Sequence, residues 1–135
     1  MDLMTRVIPA ISPVYHQGTI GMIASMLAIA AEEWDRAASR RIEENIAIRA
    51  IFKSAANSVA SSELRARLES LAKGVDADFR VSTLEKSNCE LRAALIELHA
   101  AIENTPGARA REIEGEIWRE LVKSTERRKL SSSQF

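Results

Sequence analysis

The chain has 135 residues, 19 basic and 19 acidic, and therefore no formal net charge, with one cysteine. That length buries a core without disulfide or metal staples, and the charge balance argues against nucleic acid as a partner, because phosphate binding draws on a basic excess. Cys89 stands alone, so no disulfide forms within the chain, as suits a reducing cytoplasm.

Residues 1–18 read as an irregular N-terminal arm. Pro9 and Pro13 each disfavour helix at the residue before them. No charged residue falls between Arg6 and Glu32, and the run Ile20 to Ala31 is almost wholly apolar. A membrane span needs about 20 continuous apolar residues, so this shorter run predicts a helix end buried in a bundle, not a membrane segment. The start "MDLMTR" lacks the basic opening and early apolar run of a signal peptide.

Thr19 is the expected N-cap of a first helix over 19–59, because its hydroxyl can accept from an early backbone amide. No glycine or proline interrupts the chain from Met22 to Lys73. Such a helix would be about 60 Å long at 1.5 Å per residue, whereas a compact globule of this chain is about 36 Å across. The mismatch predicts an elongated molecule that covers its overhang by pairing with a second copy.

"SVASSEL" breaks the pattern, and Ser61 or Ser62 is the expected cap of a second helix over 62–73. Leu64, Leu68 and Leu71 share one face of it, and Gly74 is expected to stop it in a left-handed conformation. Asp76 or Asp78 should cap a third helix over 78–103. The turn "NTPG" follows, with Thr105 as cap and Pro106 as first residue of a fourth helix over 106–129. That helix presents Ile113, Ile117, Trp118, Leu121 and Val122. It frays into a disordered tail, 131–135. Arg127, Arg128 and Lys129 near its end are read as solvated cations that suit the helix dipole. The fold class is all-α: an antiparallel helical bundle with one domain over 19–130.

The third helix has the clearest pattern. Val81, Leu84, Asn88, Leu91, Leu95, Leu98 and Ile102 follow steps of three and four, with leucine at every d position. Residues 81–102 resemble a leucine zipper, in which a single a-position asparagine fixes register. Ala93, Ala94, Ile96 and Ala101 widen the apolar stripe beyond a two-stranded seam, which favours a bundle. The expectation is that Asn88 hydrogen-bonds across a helix–helix contact, its symmetry mate being one candidate partner. Asn88→Leu should then stabilise the fold while loosening the oligomeric state.

A shift of 43 residues lays "NIAIRAIF" (Asn45 to Phe52) on "NCELRAAL" (Asn88 to Leu95). Asn45 pairs with Asn88, Arg49 with Arg92 and Ala50 with Ala93, by duplication or by convergence. The first helix carries its own pattern through Ile23, Leu27, Ala30, Trp34 and Ala37. Gly21, Ala24, Ser25, Ala28 and Ala31 would admit a close neighbour.

No catalytic, cofactor-binding or metal-ligating set is assigned. Neither His16 nor His99 sits in the Glu-x-x-His spacing of di-iron bundles, and two separated histidines make no zinc finger. Glu32, Glu33, Asp35, Glu43 and Glu44 resemble, in part, the paired glutamates of the all-α nucleotide pyrophosphohydrolases, which bind magnesium. Arg36 stands where that pattern wants a third glutamate. The i,i+4 pairs Glu32 to Arg36 and Arg40 to Glu44 explain the same charges as a solvated face.

The expected function is a non-catalytic scaffold or regulatory protein, a cytoplasmic homodimer contacting another protein. Its register residues are Asn45, Asn88, Leu84, Leu91, Leu95, Leu98 and Ile102. The alternatives are a bundle binding an apolar small molecule among Met22, Met26, Trp34 and Trp118, and the magnesium-dependent pyrophosphohydrolase.

Overall fold

With no glycine or proline to stop it through its C-terminal half, the first helix runs unbroken. The computed structural model describes residues 2–10 and 14–131. Helix α1 spans Val14–Ala55, 42 residues, and a 3-10 turn at Ala56–Ser58 ends it. It begins five residues before Thr19, which therefore lies within the helix and does not cap it. One glycine, Gly18, costs a helix only about 1 kcal/mol, too little to delay its start. The preceding arm is also less irregular than expected. A π-helical turn covers Leu3–Val7, and a 3-10 turn covers Ile8–Ala10.

Helices α2 (Ser62–Lys73), α3 (Val81–Glu103) and α4 (Ala108–Arg128) follow, and no strand occurs among the described residues. Ser61 caps α2 as expected, its hydroxyl accepting from Leu64 N at 3.2 Å. Three other ends differ from expectation. Gly74 stops α2 in an extended conformation, φ −65°, not a left-handed one. The chain passes close by there: a Cβ would meet the Leu71 carbonyl oxygen at 3.2 Å and Arg49 Nε at 3.6 Å. Helix α3 starts after Arg80, since Asp76 turns inward and Asp78 is occupied by the Arg80 amide and the Thr83 hydroxyl. Thr105 closes α3 by donating to the Ala101 carbonyl at 2.8 Å, so it does not cap α4. Gly107, at φ +126°, turns the chain, and α4 begins at Ala108, past Pro106.

The chain divides into two compact units. One comprises residues 1–36 with 130–135, and the other residues 37–129. Of the expected disordered tail, 132–135 lie outside the described residues. Ser131 is tied down, its amide and hydroxyl donating to Glu32 at 2.9 Å and 2.7 Å.

The 37–129 unit is a bundle. Contacts between α1 and α3 advance together, Arg41 with Glu85 and Asn45 with Asn88, so these segments run in the same direction. Helix α4 opposes both, because Glu44 meets Arg128 while Ser54 meets Glu116, and Arg92 meets Ser124 while His99 meets Trp118. The core gathers Ile48, Phe52 and Ala55 of α1, Leu68 of α2, Leu91, Leu95, Leu98 and Ile102 of α3, and Ile113 and Ile117 of α4. Each buried leucine or isoleucine of this kind contributes about 1.5–3 kcal/mol by leaving water.

Candidate interaction surface and the polar core

In the first unit, the apolar run of α1 is not buried as the sequence predicted. Steps of three and four align Ile23, Leu27, Ala30 and Trp34 in one row, with Met22, Met26 and Ile29 in the adjoining row. All of them face solvent in the chain: Met22 and Met26 are each 64% exposed and Trp34 is 90% exposed. The opposite side of the helix is the covered one. Ala24 is buried there, and a Cβ on Gly21 would lie 3.9 Å from Ile8 Cδ1 of the arm. Among the described residues no helix is long and apolar enough to cross a membrane.

Met22, Ile23, Met26, Leu27, Ile29 and Trp34 together expose on the order of 800 Å², what each partner brings to a standard-size interface. A typical monomer's largest apolar patch is about 300–600 Å².

The second unit holds the register residues. Asn45, Asn88, Leu84, Leu91, Leu95, Leu98 and Ile102 are all buried by the chain's own side chains. The heptad of α3 is thus an internal face of the bundle, and Val81 alone of the seven is exposed. Asn88 Nδ2 donates to Asn45 Oδ1 at 2.9 Å, so its partner lies within the chain. The two asparagines matched by the 43-residue shift are bonded to each other. The other matched positions are buried in both segments: Ile48 and Leu91, Phe52 and Leu95, Ala55 and Leu98, Val59 and Ile102.

Around that pair runs a polar network that the sequence reading missed. Asn45 Nδ2 donates to Asp76 Oδ2 at 3.1 Å. Arg49 grips the same carboxylate with two bonds, 3.0 Å and 2.8 Å, and the Ser87 hydroxyl donates to it at 3.2 Å. Asp76 thereby pins the α2–α3 loop to α1. The Arg49 hydrogen bonds hold the Asp76 carboxyl below its ordinary range, against the opposing effect of burial. Next to Asn45 in α1, Glu44 accepts from Arg92 at 2.6 Å and from Arg128 at 2.8 Å. Burial pushes the Glu44 carboxyl up, but the bonds from Arg128 and Arg92 outweigh it and hold it below the usual carboxylate range.

Of the C-terminal cations, Arg128 joins this network through Glu44, and the other two are also paired. Arg127 pairs with Glu120 at 2.6 Å and with Glu43 at 3.3 Å, and Lys129 pairs with Glu126 at 2.9 Å. Glu120 and Ser124 are buried on the Ala110, Ile113, Ile117 face of α4. Their steps of three and four were readable, and would have marked them as polar core positions.

The carboxylates expected to form a solvated face divide between the units. Glu32 pairs with Arg36 at 2.5 Å, as the i,i+4 spacing predicted. Hydrogen bonds from Ser131 are the main reason its carboxyl lies below the ordinary range. Glu43 and Glu44 are instead met by arginines from α3 and α4.

Met22, Met26, Trp34 and Trp118 are not brought into one pocket. The first three are exposed in one unit, and Trp118 is exposed in the other. Two cavities of the bundle have other linings. One of about 390 Å³ lies among Lys53, Ala56, Asn57, Glu69, Ala72 and Lys73. Another, about 170 Å³, lies beside Glu44, Ile48, Arg92 and Leu121. Comparison with protein-family models, curated proteins and solved structures finds no match.

Proposed function

We propose that the chain is a non-catalytic helical interaction protein that self-associates through the N-terminal half of α1. The exposed row of Met22, Ile23, Met26, Leu27, Ile29 and Trp34 carries this reading. An apolar helical face of that size is unfavourable in water, and a second copy offers an equal area of the same chemistry. Twofold pairing of α1 with α1 would bury both faces through one self-complementary patch. Ala28 and Ala31, beside the rows, would let two such helices approach closely. The pairing of Glu44 with Arg92 and Arg128, and of Glu43 with Arg127, favours this reading over a magnesium-dependent hydrolase, because arginines already meet those carboxylates.

The test is the double substitution Met22→Glu/Met26→Glu. It should abolish self-association in light scattering after size exclusion, while the thermal transition of the bundle core stays in place. Unchanged mass for the variant would remove α1 as the interface.

A further inference from the structure

At the end of the bundle where α3 turns into α4, His99, Glu103 and Glu114 bring one imidazole nitrogen and two carboxylates within 4.8 Å of one another. His99 and Glu103 are one turn apart on α3, and Glu114 reaches them from the second turn of α4. We propose that these residues form a site for a divalent transition-metal cation of the zinc type, which clamps α3 to α4. The proposal does not depend on self-association, because it uses no residue of the α1 face.

Three observations besides the clustering point to a cation. His99 Nε2 is buried from solvent and has no hydrogen-bond partner. A buried polar atom without a partner is costly, and a bound cation would satisfy it. Next, Glu103 Oε1 lies 3.5 Å from that nitrogen, longer than a normal hydrogen bond. Two ligands of one tetrahedral zinc ion, each at its usual bond length, lie about 3.4 Å apart. The separation fits shared coordination better than a direct bond. Finally, Glu114 is half-buried and makes no ion pair or hydrogen bond among the described residues. Two carboxylates facing one imidazole leave local negative charge that a divalent ion would balance.

The ligand set selects the ion class. Imidazole suits zinc and its first-row neighbours, whereas calcium and magnesium favour sites made wholly of oxygen. Three protein ligands leave one position of a tetrahedral ion for water. Trp118 sits against the site, its ring edge-on to His99 with centroids 5.5 Å apart and planes at 86°. Metal binding should therefore be visible in its fluorescence.

The experiment titrates zinc into the chelator-stripped full chain by calorimetry. The chain contains two tryptophans, so Trp34→Phe isolates Trp118 for a parallel titration with nickel, read as quenching. The proposal expects one zinc per chain with a dissociation constant below about 10 µM, and a rise in Tm of several degrees at saturation. His99→Gln and Glu114→Gln should each weaken binding at least tenfold, whereas His16→Ala and Cys89→Ser should leave it unchanged. Glu114→Gln alters a half-buried residue without a partner, so it keeps the test valid if His99→Gln perturbs folding. Binding weaker than this limit, or binding that survives both ligand substitutions, overturns the proposal.

Discussion

Asn88 and Asn45 are bonded to each other in the core of the bundle, 2.9 Å apart and 43 positions apart in the chain. The same Asn45 amide donates onward to Asp76, so one hydrogen-bonded chain links α3, α1 and the α2–α3 loop. Asn88→Leu removes the donor and leaves Asn45 Oδ1 buried without it. The cost should be about 1–3 kcal/mol, opposite in sign to the gain expected of an intermolecular zipper asparagine. Urea unfolding of the variant checks this, and a more stable Asn88→Leu would contradict it. Asn45→Leu with Asn88→Leu should cost less than the two single changes added, because the partners share one bond.

Asp76 is the common acceptor for Arg49, Asn45 and Ser87, and only 7% of its side chain is exposed. Asp76→Ala would strand a nearly buried guanidinium. A loss of about 3–5 kcal/mol is expected, as when one partner of a buried pair is removed. The loop 74–80 should then gain hydrogen-exchange rate out of proportion to the rest of the bundle. Uniform acceleration, with no excess in the loop, would deny Asp76 its pinning role.

Acid should unfold the bundle through Asp76 and Glu44. Both carboxyls are held below their ordinary ranges in the folded chain. Their contribution is therefore complete above the unfolded-state values of about 3.9 and 4.3, and is lost as pH falls through the lower folded-state values. Stability should change little on their account between about pH 7 and 5, and should fall steeply below about pH 4. Asp76→Asn should flatten that fall. Denaturation midpoints across the range decide it, and an equal slope in the variant would assign the acid sensitivity to other groups.

Two glycines should respond in opposite directions. Gly107 adopts φ +126°, a region closed to side chains, so Gly107→Ala should cost about 1–3 kcal/mol. Gly115 lies inside α4 with nothing within 4 Å of an added Cβ. Gly115→Ala should gain about 0.5–1 kcal/mol from helix propensity alone. Thermal melts of the two variants compare them directly.

The all-α class, the second helix with its Ser61 cap and the buried heptad of α3 were legible because they follow from local period and capping chemistry. Helix starts were less so. Asp76 looked like a cap because caps favour aspartate, but Arg49, 27 positions away, competes for the same carboxylate. The heptad of α3 shows that a face is buried without saying what buries it. That ambiguity left open whether Asn88 meets a helix of its own chain or its symmetry mate. Conversely, Ile20 to Ala31 read as core from composition, yet most of it faces water within one chain. Burial against the same chain and burial against a second chain leave identical marks on a sequence.

That exposed segment makes the central claim measurable. Sedimentation velocity of the native chain, from sub-micromolar to hundreds of micromolar, should show a reversible shift from 14.9 kDa to twice that mass. The shift should vanish in Met22→Glu/Met26→Glu. A native chain that sediments at 14.9 kDa across the whole range would contradict self-association through α1.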